Sequence, residues 1–314
     1  MSPILDLMRN FVPGDGGAQI EANLTGKPEV VHYSCWKTTK DYFDLWLNLE
    51  SFAPIAIDCW VDNMRLLYNE TSGMAIKAPG VETRIPGFGN TETVEWLDPS
   101  KSFIGKYFAD IVKFLTNFGY IRSKSAWKDK FIHAHISLAG AWGGAMQIVR
   151  LFASGYNMGH YRLTLPPSKM RIMQRSFTSS AFLFPSYNVW NETEIIARTV
   201  SANYTTSNIQ QFFTDMNYTI GWTQYKNSAR LLGQLEAPNI EMHCIYGTGV
   251  ATPEKFEWAK GYFPDYPPLE IFGDGDGTVN HRSLDVCRKW VDNNGGKNVS
   301  FHCLSVFSFT IFKK

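Results

Sequence analysis

The chain has 314 residues, 44% of them apolar and 19% charged, too apolar for a disordered polymer and enough for a sizeable core. Thirty basic residues against 29 acidic leave a net charge of +1 with no polybasic block, so nothing in the charge points to nucleic acid as a partner. No apolar run approaches the roughly 20 residues that span a bilayer; Phe52–Trp60 and Cys303–Phe312 both fall short. Aromatic residues reach 15%, a share that suggests apolar ligands or a membrane surface.

The first residues, MSPILDLMRN, have no basic stretch followed by an apolar one, so no signal peptide is expected in them. Yet six Asn-x-Ser/Thr sequons stand at Asn23, Asn69, Asn191, Asn203, Asn217 and Asn298, and five cysteines allow two disulfides with one left over. Those features read as secretory. Val12-Pro13-Gly14-Asp15-Gly16-Gly17 follows a short apolar stretch and reads as a strand end opening into a Gly-rich turn. Such a turn can also aim a backbone N–H at an oxyanion. Cys35 to Cys59 brackets Trp36, Leu45, Trp46, Leu47 and Phe52, more apolar residues than one helix face requires. Ordinary core and a surface module that dips into lipid both remain open here. A Cys35–Cys59 disulfide would close this segment into a compact loop.

Asp98 and Pro99 suit a helix start, with Ile104, Phe108, Ile111, Leu115 and Phe118 at helical spacing and Gly119 as the stop. Phe131–Leu138 reads as a buried strand. His133 and His135 share one of its faces, but no third ligand is near, so no metal is expected. Residues 145–235 look like an insertion, with helical pieces at Ala145–Ala153 and Lys169–Ser176. Its KMRIMQR stretch suggests a mobile cap more than a rigid core. Ile240–Tyr246 and Leu269–Phe272 read as strands, Arg282–Val291 as a helix and Val299–Leu304 as a last strand.

Gly273-Asp274-Gly275-Asp276-Gly277-Thr278 closes the second of those strands. A calcium loop fails because its sixth position is Val279, where glycine is needed. A phosphate loop fails because Asn280 and His281 stand where lysine should follow. A catalytic carboxylate at a strand end fits Asp276, since hydrolase triads run Ser, then acid, then His. That reading demands a Ser on a Gly-x-Ser-x-Gly elbow, and there is none; Ser137 has no flanking glycines. It also demands a later His. His281 is too close, and His302 falls within the last strand.

VPGDGG, NLESFAPIAIDCWVDNMRLLYN inside and beyond the Cys35–Cys59 bracket, IPGFG, LDPSKS, AWKDKFI, SLAGAWGG, CIYGTGVATP and FGDGDGTVN together resemble group XV (lysosomal) phospholipase A2, the relative of lecithin–cholesterol acyltransferase. The resemblance covers about residues 11–300. It implies one α/β-hydrolase-like domain over residues 1–314, a mixed sheet, a membrane-binding subdomain at 35–75 and a cap at 145–235. It implies a phospholipid membrane surface and lipid acyl donors and acceptors as partners, no cofactor, and a lysosomal or secreted location. Asp276 matches the triad acid, and Asp15 and Gly16 match the oxyanion loop. Trp36, Leu45, Trp46, Leu47 and Phe52 match the membrane-docking segment. Cys244 and Cys287 match a second disulfide, leaving Cys303 odd. The sequence departs from the family where Ser123-Lys124-Ser125 joins Ala126-Trp127 directly: a segment on the order of 60 residues with the elbow strand and its Ser is missing, which would put the lost strand at the sheet centre. The ending SVFSFTIFKK holds no His. The expectation is therefore a family member without acyl transfer activity. A non-catalytic lipid-surface binder and a chain that does not fold stand as alternatives.

Overall fold

The computed structural model describes residues 12–14, 16–88, 91–117, 132, 134–157 and 165–305. The chain divides into two compact units, one formed by residues 1–67, 76–131 and 160–169, the other by 68–75, 132–159 and 170–314.

The first unit is built on β1 (Ile20–Leu24), β2 (Phe43–Trp46) and β5 (Val81–Arg84), antiparallel in the order β2-β1-β5. Alternation makes β1 a strand: Ala22 and Leu24 are buried and their neighbours are not. Between β2 and β5 in the chain, β3 (Leu66–Asn69) and β4 (Met74–Lys77) form a two-stranded sheet, of which residues 68–75 are counted with the second unit. A helix over Ala56–Met64 buries Ile57, Trp60 and Val61, the i, i+3, i+4 stripe of an amphipathic helix. The Cys35–Cys59 disulfide forms, tying this helix to the loop before β2. Beneath it lies an ion pair almost wholly out of water. Lys27 Nζ meets Asp62 Oδ2 at 2.5 Å, with side-chain exposures of 3% and 5%, and donates to Asn63 Oδ1 at 2.6 Å. Arg65 Nε donates to Asp62 Oδ1 at 2.8 Å. Burial pushes the Asp62 carboxyl up, and the hydrogen bonds from Lys27 and Arg65 more than reverse it, so it ends below the usual carboxylate range.

The helix expected from Asp98 begins later and spans Ala109–Asn117; Phe118 and Gly119 lie outside the described residues. Asp98 does not cap it. Its carboxylate accepts from the Ser100 hydroxyl at 2.5 Å, the Ser102 hydroxyl at 2.6 Å and the Ser100 N–H at 2.9 Å. Two serines within reach turn an apparent cap into a closed turn, the side-chain competition that disfavours helix at such residues.

In the second unit β6 (Ala134–Leu138), β9 (Glu241–Thr248) and β12 (Val299–Ser305) lie parallel in the order β12-β9-β6. A second sheet has the order β11-β10-β7-β8, from β7 (Ala197–Arg198), β8 (Asn203–Tyr204), β10 (Val250–Glu257) and β11 (Leu269–Gly275). Cys244 on β9 is bonded to Cys287, and Cys303 is free and exposed. The stretch read as a helix at Arg282–Val291 is one α turn, His281–Leu284, followed by a 3-10 helix over Asp285–Trp290. The tighter winding stacks Cys287 and Trp290 three residues apart on the side that meets Met242, Cys244 and Val299.

Residues 145–235 supply most of the largest buried rings of this unit: Phe152, Phe184, Trp190, Tyr204, Phe212 and Phe213 are all at most 1% exposed. The KMRIMQR stretch belongs to a helix, Pro167–Gln174, and its methionines at 170 and 173 are buried. Thioethers fill irregular core space well, so here the methionines mark packing and not the mobility expected of them.

Two outcomes follow for the first unit. Breaking the buried pair with Lys27→Met leaves the Asp62 charge with less compensation, and urea denaturation should show a loss of about 3 kcal/mol. Asp44 on β2 faces Glu21 across the ladder, and its Oδ1 is buried without a partner. Burial, then Asp98 and Glu21, raise its carboxyl to about 6. The folded state therefore holds an extra proton between the ordinary carboxylate range and about pH 6, and this group's contribution to stability rises as pH falls through that window. Asp44→Asn, which fixes the neutral state, should be more stable than the parent at pH 7. Thermal melts should show that advantage fading to nothing near pH 4.

Candidate functional site

In the first unit the Gly-rich turn is held by its own backbone and by two aromatic side chains. The Gly17 N–H donates to the Gly14 carbonyl at 2.9 Å. A Cβ on Gly17 would stand 2.7 Å from Pro13 Cβ and 2.8 Å from Tyr107 Cε1, so no larger residue fits. Gly16 lies at φ +72°, in the left-handed region glycine enters freely, and its carbonyl accepts the Trp46 indole N–H at 2.6 Å. With the carbonyl tied back, the exposed Gly16 N–H has no acceptor among the described residues. That is the arrangement an oxyanion donor requires. Asp15, the other half of the expected pair, lies outside the described residues. The turn lines a cleft of about 350 Å³ together with Ile20, Thr83, Arg84 and Ile85.

Of the residues assigned to membrane docking, the structure separates two kinds. Trp36 is 66% exposed. Leu45 is 1% exposed and belongs to the core, because its strand position points inward and its carbonyl accepts the Trp60 indole at 2.7 Å. Trp46 and Phe52 are half-buried against Trp60, with ring centroids 6.1 and 5.0 Å away, and Leu47 is half-buried with its N–H on the Leu97 carbonyl at 2.7 Å. The apolar side chains that do reach solvent near Trp36 in sequence include Val31, Tyr33, Leu49 and Ile55. Ile55 stands at φ +73°, a region β-branched residues almost never occupy. Leu49 opens a 3-10 helix over Leu49–Phe52 that Asn48 caps, its side chain accepting from the Glu50 and Ser51 N–H groups.

In the second unit Asp276 follows the last residue of β11. Its Oδ1 accepts the N–H of Thr278 at 2.9 Å and of Val279 at 2.8 Å, and its own N–H donates to the Val279 carbonyl at 3.2 Å. Gly277, at φ +99°, donates to Thr252 Oγ1 at 2.8 Å. The carboxylate is thus oriented by backbone, and no imidazole among the described residues pairs with it. His281 engages the neighbouring carboxylate: its Nδ1 lies 3.3 Å from Asp274 Oδ2, while Asp274 Oδ1 accepts the Gly249 N–H at 2.7 Å. His302 sits within β12, beside Ile245 in register. Ser137 is buried in β6, beside Cys244, and lies on no strand-to-helix turn. No group of three or more His, Cys, Asp or Glu that could hold a metal occurs among the described residues.

Five of the six sequon asparagines, Asn69, Asn191, Asn203, Asn217 and Asn298, are exposed. Asn23 is half-buried in β1, with its Oδ1 accepting from Thr39 at 2.8 Å.

These features define a mixed α/β protein with a tightly held glycine-rich turn, a strand-end carboxylate and two disulfides. The family described as Lecithin:cholesterol acyltransferase matches residues 42–126 and 121–308, and the chain belongs to it. It is 38% identical to the "Lysosomal phospholipase A and acyltransferase" of Canis lupus familiaris, over 89% of this chain and 82% of the relative. The human protein of the same name is 37% identical over 89% and 81%. The "Phosphatidylcholine-sterol acyltransferase" of Gallus gallus is 36% identical over 89% and 81%. The alignment with the canine relative has 338 positions, of which this chain fills about 280 (89% of 314), so close to 60 positions have no counterpart here. The two family matches meet at 121–126, where the sequence shows its junction.

Asp276 holds its loop through hydrogen bonds that involve a charge, and removing the carboxylate leaves two N–H groups without their acceptor. Asp276→Ala should cost about 2 kcal/mol in urea denaturation, with Asp276→Asn recovering part of the loss.

Proposed function

We propose that this chain is a lipid-surface protein of the acyltransferase family that binds phospholipid through its first unit and carries out no acyl transfer of its own. The family reaction, in an α/β-hydrolase frame, needs a Ser hydroxyl to attack the lipid ester carbonyl. A His takes its proton and returns it to the departing lysophospholipid, a carboxylate orients that His, and backbone N–H groups stabilise the oxyanion. The acyl group then passes to water or to a lipid alcohol. Gly16 and Asp276 match two of those parts. The observation that carries the reading is the state of Asp276: its carboxylate is satisfied by Thr278 and Val279 N–H groups, and the nearby His281 is turned to Asp274. No Gly-x-Ser-x-Gly occurs anywhere in the sequence. Loss of the nucleophile alone removes about 10⁶-fold of rate in a serine hydrolase studied in this way.

Lipid binding is supported by the exposed Trp36, Leu49 and Ile55 of the disulfide-bracketed segment. Holding an exposed isoleucine at φ +73° costs conformational energy, and such strain concentrates where a side chain must be presented. A lysosomal or secreted location is supported by the two disulfides, which persist in oxidising compartments, and by the exposed sequons.

Phosphatidylcholine vesicles at acidic pH test both halves of the reading. The expected result is co-sedimentation of the chain without release of fatty acid or of acylated lipid alcohol. Trp36→Ala should weaken vesicle binding about tenfold, the worth of one large apolar side chain taken out of water. Acyl release that is lost in an Asp276→Ala variant would overturn the claim of inactivity, and absence of vesicle binding would overturn the lipid-surface role.

A further inference from the structure

The parallel sheet of the second unit carries a set of polar side chains that the loop of Asp276 does not use. Glu241 and His243 stand two residues apart on β9 and so share a face. Register sets Ser300 of β12 directly beside His243. The opposite face of β9 is covered: Met242, Cys244 and Tyr246 are all at most 3% exposed. The face of Glu241, His243 and Ser300 is the bare one. The His243 and Glu241 side chains are 32% and 35% exposed, and Ser300 is half-buried.

The three groups form one hydrogen-bonded series. Ser300 Oγ lies 2.6 Å from His243 Nδ1, and His243 Nε2 lies 3.2 Å from Glu241 Oε1. An ionised carboxylate only accepts. It therefore draws the proton of the neutral imidazole to Nε2, which leaves the Nδ1 lone pair to accept from the Ser300 hydroxyl. The Met242 carbonyl, 3.4 Å from the same hydroxyl, is the poorer acceptor. A hydroxyl within reach of a base that a third group orients is the arrangement that activates a serine. Here all three groups are fixed on two paired strands. The surroundings decide what can approach. Ile136 of β6 stands beside His243 in register and is 56% exposed, and Ile245 follows on the same face of β9. These side chains suit alkyl groups, while Glu241 repels an anion. His302 is exposed on the same face two residues along β12, about 7 Å from Ser300 by strand rise. Its ring N–H can donate to an oxygen that gains charge.

We propose that Ser300 is a reactive serine, with His243 as its base and Glu241 positioning that base, and that it is covalently modified by uncharged alkyl phosphonyl or phosphoryl esters that carry a good leaving group. With a phosphonyl fluoride, Ser300 Oγ bonds to phosphorus as the P–F bond breaks. Fluoride departs with the electron pair, and the hydroxyl proton passes to His243 Nδ1. The imidazolium so formed faces Glu241 and then loses its proton to water. The phosphonate left on the serine has no second good leaving group, so the site reacts once and does not turn over. Neither Gly16 nor Asp276 takes part and no lipid is needed, so the outcome is independent of vesicle binding and of acyl release.

The probe is a biotin-tagged alkyl fluorophosphonate, added without lipid to the purified full chain freed of N-glycans. Peptide mass mapping of the parent chain should place the adduct on Ser300, a result that needs no variant. Ser300→Ala should abolish it with the circular dichroism spectrum unchanged. His243→Gln should slow labelling about 100-fold, the low end of what a positioned base supplies. Glu241→Ala should slow it about fivefold, the worth of a part-exposed ion pair. Nitrogen NMR should show the His243 proton on Nε2 in the parent and a mixture of both tautomers in Glu241→Ala; one unchanged tautomer there would overturn the positioning role. No adduct on Ser300 with the probe in excess overturns the proposal. So does labelling of Ser300 that is as fast in the chain unfolded in urea, or that His243→Gln leaves unchanged.

Discussion

Strand β9 runs parallel to both neighbours, so it can be reached from either edge only by chain that has crossed over a face of the sheet. That constraint governs the second unit. Every second residue of β9 is driven against the 3-10 helix of Asp285–Trp290, and the Cys244–Cys287 bond locks the two together. On that side Met242, Val286, Cys287, Trp290 and Val299 close around the disulfide, with Trp142, Val189 and Leu235 packed against them. On the other side nothing equivalent exists among the described residues, and the aliphatic side chains of β6 and β12 face outward.

The same independence appears in the glycine-rich turn and in the loop of Asp276. Trp46 holds Gly16 by its carbonyl, and Tyr107 and Pro13 leave Gly17 no room for a side chain. Asp276 is held by two N–H groups of its own loop, and Gly277 by Thr252. None of these contacts involves a serine nucleophile or a triad imidazole. Each motif is organised by bonds within its own unit, to Trp46 and Tyr107 in the first and to Thr252 and Val279 in the second.

Much of this was legible in the residues, and the failures have physical causes. The glycine turn, the strand ending at Asp276 and the Cys35–Cys59 bracket were readable because each rests on a few adjacent residues with narrow chemical options. The second disulfide came from family resemblance alone, since 43 residues separate its cysteines and spacing does not select the pair. The helix start at Asp98 failed because the two serines that follow it compete for the same carboxylate. The KMRIMQR stretch suggested a mobile cap because basic residues alternate with its methionines; Met170 and Met173 are buried, and Arg175 is held by the Phe152 carbonyl. Leu45 was assigned to the docking segment by family resemblance, whereas its place on β2, paired with β1, turns it into the core.

The two histidines nearest in sequence to Asp276 are each held elsewhere. His281 is three-dimensionally close to the acidic loop, yet it follows Asp276 by five residues, and that short connection delivers its ring to Asp274. His302 is far enough along the chain but lies inside β12, where the strand fixes its side chain to the bare face of the sheet beside Ile245. A base that serves a strand-end carboxylate must come from a loop beyond the last strand, long enough to return and free of the ladder. Neither position meets both conditions. The Asp276 carboxylate is held by its own loop, whereas an imidazole to serve it would have to come from a separate segment of chain.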